Sequence, residues 1–95
     1  MEETKTFKRS KDFIINTIYD IIELQKGRLI LSDAVRGIVC YKISMYGYEW
    51  ELMYTIAPDA PEGQSSATLR IFGERRETEK EMRRAFKLLE SMLDI

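Results

Sequence analysis

Histidine is absent from this chain, cysteine occurs once, at Cys40, and proline only twice, at Pro58 and Pro61. A single cysteine excludes an intrachain disulfide and gives no support to an oxidising compartment, so a reduced cytoplasmic setting is the simplest expectation. Without an imidazole, the thiol has no obvious base, and no cluster of His or Cys offers a metal site; Asp59 with Glu62 is too sparse for a calcium loop. No glycine pattern cradles phosphate, so no cofactor is expected. Charge of one sign is missing too. Fifteen basic residues against sixteen acidic ones leave a net charge of -1, which provides no long-range field for nucleic acid or an anionic membrane. Met1 to Arg9 lacks the apolar core of a signal peptide, and no apolar run is long enough to span a membrane. No linker-like stretch divides the 95 residues, and one domain over 1–95 is expected.

What is present is two kinds of periodicity. From Ser10 onward the apolar positions Ile14, Ile15, Ile18, Ile21 and Ile22 lie on one helical face, with Ser10 as N-cap, Asp12 against the helix dipole and Gly27 as a left-handed stop. A second helix opens at Thr78-Glu79-Lys80-Glu81, which has the form of a capping box, and aligns Met82, Ala85, Phe86, Leu89, Met92 and Leu93. Between them the pattern alternates. Val39, Tyr41, Ile43 and Met45 are apolar at odd positions, and Tyr48, Trp50, Leu52, Tyr54 and Ile56 at even ones.

Directly opposed residues of an antiparallel hairpin share a face and have a constant sum of numbers, so odd must oppose even. A turn at Tyr46-Gly47 gives 93, pairing Ile43 with Trp50, Tyr41 with Leu52 and Val39 with Tyr54 on one face, and Lys42 with Glu51 and Cys40 with Met53 on the other. The preceding strand, with Leu29 and Leu31 inward, requires an even sum. A loop at Ala34-Val35-Arg36, with an Asp33 Asx-turn and Gly37 at positive φ, gives 70. A last strand from Ala67 to Gly73 has odd positions inward and follows a long loop from Ala57 to Ser66, expected to be the most mobile internal segment. Glu3 to Lys8, where Thr and Phe alternate with charge, reads as a further strand.

The fold class expected is α+β in two layers, a four- to five-stranded antiparallel meander with two helices on one face, in the order (β)-α-β-β-β-β-α. Ser10-Lys11-Asp12 opening the helix, and Leu29 to Val39 as an apolar run, Asp, three residues, Gly and a second apolar run, resemble the TATA-binding-protein-like architecture of small bacterial domains. Helix-grip domains, in which a curved sheet clasps a C-terminal helix, are similar too. The bacterial domains often follow export signals, which this chain lacks, and the resemblance implies no functional residue.

Four candidate chemistries follow from these placements. Glu49 and Glu51 share one side of a strand in the spacing of a carboxylate pair, but Glu51 faces Lys42 and a solvated strand face accounts for both. Arg76, Lys80, Arg83, Arg84 and Lys87 lie near one stripe of the last helix. Glu79 with Arg83 and Glu81 with Arg84 make that stripe a solvated amphipathic face, and nucleic acid is disfavoured as a partner. With both helices on one side, Ile30, Ile38, Cys40, Met53 and Phe72 come together on the other, ringed by charge. This interaction patch suits a homodimer or another protein. Phe13 with Leu24 forms a smaller patch off the core face of the first helix. Alternatively, Tyr41, Trp50, Tyr54, Met82, Phe86 and Met92 line a cavity for a small apolar ligand between helices and sheet. The reading favoured is a small non-catalytic interaction module that uses the open sheet face, because so short a chain needs the inner residues for its own core.

Overall fold

The structure is a computed structural model and describes residues 1–59 and 62–94. Seven elements follow one another: β1 (Glu2–Phe7), α1 (Lys11–Leu24), β2 (Arg28–Asp33), β3 (Ile38–Met45), β4 (Tyr48–Asp59), β5 (Gln64–Ile71) and α2 (Thr78–Leu93). All pairings are antiparallel and the sheet order is β1-β5-β4-β3-β2. The α+β order read from periodicity is therefore the observed one, including the first strand. Both helices pack on one face of the sheet, over a core that joins the five isoleucines of α1 to Met82, Phe86 and Leu89 of α2.

The β3–β4 hairpin has the deduced register throughout, from Ile38 opposite Thr55 to Met45 opposite Tyr48. Its turn is tight because Tyr46 and Gly47 both take positive φ, +55° and +79°, the backbone twist that suits a two-residue hairpin. Tyr41, Trp50, Leu52 and Tyr54 are buried beneath the helices. Tyr48, at the hairpin end of the same face, is 42% exposed because no helix reaches it. Lys42 and Glu51 are neighbours as deduced, but the ion pair of Lys42 is with Glu49, at 3.6 Å.

Gly37 is required where it stands. It has φ +74°, its carbonyl accepts from the Ile56 amide at 2.7 Å, and a Cβ there would sit 2.1 Å from the Ile56 carbonyl oxygen. Asp33 makes the expected Asx-turn, its Oδ1 accepting from the Arg36 amide at 3.1 Å.

Ser10 caps α1, its hydroxyl accepting from the Phe13 amide at 3.2 Å. At the other end the expectation for Gly27 is corrected. Lys26 takes the left-handed conformation, φ +55°, and the amides of Lys26 and Gly27 bond back to the carbonyls of Glu23 and Ile22 in a Schellman arrangement. Gly27 matters for space instead: a Cβ would come within 3.0 Å of Ile43 Cγ2 and 3.1 Å of the Lys42 carbonyl.

The long loop is shorter than deduced. The β4–β5 ladder continues through Ala57 opposite Ser66, Pro58 opposite Ser65 and Asp59 opposite Gln64, so little of the Ala57–Ser66 segment is loop, and Ala60 and Pro61 lie outside the described residues. Pro58 is tolerated because β3 ends opposite Thr55, leaving no neighbour on that side to miss its amide. Inward Ala67, Leu69 and Ile71 of β5 are fully buried, as parity requires.

The capping box at the start of α2 is not formed. The Thr78 hydroxyl accepts from the Arg75 amide at 2.8 Å, preceding Glu77 has no side-chain cap bond, and Glu81 turns into the protein. The competing partner that draws it inward is Arg84.

Candidate functional site

The outer face of the sheet is built from the registers. Arg70, Met53 and Cys40 stand side by side on β5, β4 and β3, and β2 completes the row. Here the deduced sum of 70 holds only for Arg28 with Lys42 and Leu29 with Tyr41. A bulge then shifts it to 71, so Leu31 opposes Cys40, Ser32 opposes Val39 and Asp33 opposes Ile38. Leu31, expected inward, is on the outer face, and Ile30 is the extra residue beside it. Ser32 takes the inward place and its hydroxyl meets that of Tyr19. β2 is an edge strand on which Leu29, Ile30 and Leu31 stay about half exposed, so no apolar pocket holds Leu29 and Leu31 to the inner parity.

The expected patch residues are distributed accordingly. Met53 and Ile38 are half-buried beside Cys40, which is only 6% exposed. Phe72 directly follows β5. Its amide bonds to the Glu51 carbonyl at 3.0 Å and the Arg70 guanidinium lies over its ring at 5.0 Å. The greater apolar exposure is on β2, where Leu29, Ile30 and Leu31 are 48%, 47% and 52% exposed. Phe13 and Leu24 of α1 are also exposed, with Arg9 over the Phe13 ring at 5.7 Å.

Cys40 has no nucleophilic surroundings. Burial first, and the negative charge of Glu51 second, push its thiol up from its ordinary value, and the thiol donates to Glu51 Oε2 at 3.9 Å. The thiolate is thereby disfavoured at neutral pH. Alkylation of native protein by iodoacetamide at pH 7 is expected to run at least about tenfold slower than for the unfolded chain. Equal rates in the two states would refute this reading of the site.

The six residues deduced to line a cavity belong to the core or pack against it. Trp50, Tyr41, Tyr54, Phe86 and Met82 are buried together, and Met92 packs on their edge. The rings contact one another, with Tyr41 stacked on Tyr54 at a centroid distance of 6.4 Å and Phe86 edge-on to Tyr54 at the same distance. Trp50 Nε1 donates to the Met45 carbonyl at 2.8 Å.

Beside this cluster is a feature the periodicity did not disclose. Glu81 is fully buried and accepts two hydrogen bonds from Arg84, from Nε at 2.7 Å and Nη2 at 2.6 Å. Gln25 at the end of α1, with its amide oxygen towards the guanidinium, accepts from both terminal nitrogens of Arg84 at 2.8 and 2.9 Å. Hydrogen bonding to Glu81 raises the Arg84 pKa, and Tyr41 and Tyr54 are held protonated by burial, with the Glu81 charge adding to it. Glu81 and Arg84 are therefore not part of a solvated face. The signal was in the spacing: Glu81 lies three residues after buried Thr78 and four before buried Ala85, on the apolar stripe.

The remainder of the basic stripe is partly engaged. Arg83 pairs with Glu79 at 2.9 Å, and Lys80 lies over the Tyr46 ring at 5.3 Å. Tyr46, Tyr48 and Trp50 form an edge-packed trio at the hairpin end, with the Arg75 guanidinium 4.3 Å above Tyr48. A depression of about 240 Å³ adjoins it, lined by Met1, Glu74, Arg75, Arg76, Thr78 and Glu79. Among the described residues no three His, Cys, Asp or Glu side chains gather as a metal site, and no helix is long and apolar enough to cross a membrane.

No family model matches the chain, and no curated protein does. Among solved structures, the crystal structure of Ara h 8.0201 is similar, with a TM-score of 0.62 at 12% sequence identity, over 97% of this chain and 92% of that one. The similarity shows a helix-grip-like α/β fold.

Proposed function

We propose that the protein is a small non-catalytic interaction module whose contact surface is the apolar stretch of the sheet that runs from Met53 past Cys40 to Leu31 and Ile30. The observation that carries this reading is the half-exposure of three successive apolar residues, Leu29, Ile30 and Leu31, on an uncovered edge strand. Apolar surface in water is unfavourable by roughly 25 cal/mol per Å², and its cover by a second protein surface relieves that. Charges border the stretch at Arg28, Lys42, Glu51 and Arg70, an arrangement that orients a partner more than it adds affinity. The Cys40 thiol is buried, and burial and the Glu51 charge both disfavour its thiolate, which supports a role outside catalysis.

Leu31→Lys tests the reading. The side chain faces solvent, so the fold and its far-ultraviolet spectrum should be unchanged, while self-association measured by sedimentation should weaken at least about tenfold. Association equal to that of the wild type would sink it.

A second reading, a carrier of a small apolar ligand lined by Tyr41, Trp50, Tyr54, Met82, Phe86 and Met92, draws support from the helix-grip-like fold and from the gathering of those side chains. It requires the stacked rings to part. Native mass spectrometry of freshly purified protein would reveal a bound small molecule, and bare protein that takes up no apolar dye would dismiss the carrier.

A further inference from the structure

Among the described residues the sheet has two free edges, of opposite character. β1 is studded with charge, at Glu2, Glu3 and Lys5, a common device against edge pairing. β2, Arg28-Leu29-Ile30-Leu31-Ser32-Asp33, has an apolar centre, a cation at its start and an anion at its end. We propose that a second copy of this chain docks on the free edge of β2, antiparallel about a twofold axis, so that Arg28 of each copy opposes Asp33 of the other and the two sheets continue as one. The proposal rests on the interaction-module reading and specifies both the partner and the register.

The register follows from which side of the sheet each residue occupies. Arg28, Leu31 and Asp33 share the outer face with Lys42, Cys40 and Ile38, which they oppose on β3. Leu29 and Ser32 share the inner face with Tyr41 and Val39. At the bulge Ile30 and Leu31 together oppose the single Cys40, which places Ile30 on the outer side as well. In a twofold pairing, residues whose numbers have a constant sum must share a face. A sum of 61 satisfies every pair: Arg28 with Asp33, Leu29 with Ser32, Ile30 with Leu31. A sum of 60 or 62 sets inner against outer residues, and so does 59 or 63. The bulge is thus what makes β2 self-complementary, because an unbulged strand of six would place 28 and 33 on opposite faces.

Charge selects the same arrangement. Antiparallel pairing opposes Arg28 to Asp33 twice, whereas parallel pairing in register would oppose like charges at both ends. Arg28 is exposed. Asp33 Oδ2 is held only loosely, by the exposed Arg36 at 3.6 Å, so a second guanidinium has an oxygen to take. At the centre, Ile30 and Leu31 of the two copies form an apolar square continuous with Cys40 and Met53.

The test is a charge exchange read by sedimentation velocity over a concentration series, with circular dichroism as the check on folding. Wild type should pass from monomer to dimer as concentration rises. Arg28→Asp and Asp33→Arg each set like charges in opposition at both ends and should weaken dimerisation at least about tenfold. Mixing the two variants should restore a heterodimer to near wild-type affinity, since every 28–33 pair is then of opposite sign. Asp33→Asn, which keeps an Asx acceptor, serves as the turn-preserving control and should weaken the dimer less than Asp33→Arg. A wild type that stays monomeric overturns the proposal, as does a mixture of folded variants that fails to associate. Met53→Lys separates edge pairing from the broader reading. Met53 is two strands from the edge, at the far end of the apolar stretch, and its substitution should weaken the dimer less than either charge variant does. If Met53→Lys dissociates the dimer while both charge variants leave it intact, stacking of outer faces replaces edge pairing and the interaction module stands.

Discussion

Arg84→Ala is expected to destabilise the protein by about 3 to 5 kcal/mol, measured by urea unfolding, the range found when one partner of a buried ion pair is removed. The reason is what remains. Glu81 is fully enclosed and both its oxygens depend on Arg84, at 2.6 and 2.7 Å. The variant would leave a carboxylate with neither water nor cation, and Gln25 would lose the guanidinium that ties the end of α1 to α2. Against a total stability of roughly 5 to 15 kcal/mol for a domain of this kind, such a loss is a large share. The double variant Glu81→Met/Arg84→Met should cost far less than Arg84→Ala, because it removes both charges and refills the space with apolar atoms. A loss for Arg84→Ala below about 1 kcal/mol, as for an exposed pair, would mean that water reaches Glu81. Arg83→Ala supplies the internal contrast: its partner Glu79 is exposed, and little change is expected.

Trp50→Ala should cost about as much, roughly 3 to 5 kcal/mol, by a different route. The indole is enclosed between the sheet and the helices, opposite Ile43, and is packed edge-on by Tyr46 and Tyr48. Truncation opens a cavity there and strips the Met45 carbonyl of the Nε1 donor at 2.8 Å. Trp50→Phe, which keeps most of the volume but not the donor, should lose distinctly less. The same burial makes native tryptophan emission blue-shifted relative to the unfolded chain, and Trp50 is the sole reporter in this sequence. An emission maximum that does not move on unfolding would contradict the packing of the β3–β4 hairpin.

These two residues show where the sequence sufficed and where it did not. Trp50 was legible because the hairpin is closed by two residues and covered by both helices. A two-residue turn admits one register, and a sheet buried on one face penalises any slip by turning every side chain over. Alternation along Val39 to Ile56 therefore determined eight residue pairs of the hairpin. The stripe Ile14, Ile15, Ile18, Ile21 and Ile22 likewise determined which face of α1 is buried, and Asp33 with Gly37 marked the place of the β2–β3 turn but not its length, since Asp33 opposes Ile38 rather than Gly37.

Tertiary structure alone decided the rest, for reasons that lie outside local pattern. The bulge at Ile30 arises on an edge strand whose apolar residues stay about half exposed, so the apolar period of Leu29 and Leu31 had little to pack against and did not set the register. Pro58 and Ser65 read as loop, yet they pair, because β5 offers β4 a neighbour beyond the end of β3. Glu81 has the position of a capping-box carboxylate and a close cation at Arg84. Which of the two it serves depends on whether the helix face towards Tyr41 and Tyr54 leaves room for a charged pair, and that is a matter of how α1, α2 and the sheet meet. Local periodicity determines what an element buries when another element is there to bury it. The position of that other element is fixed only by the assembled fold.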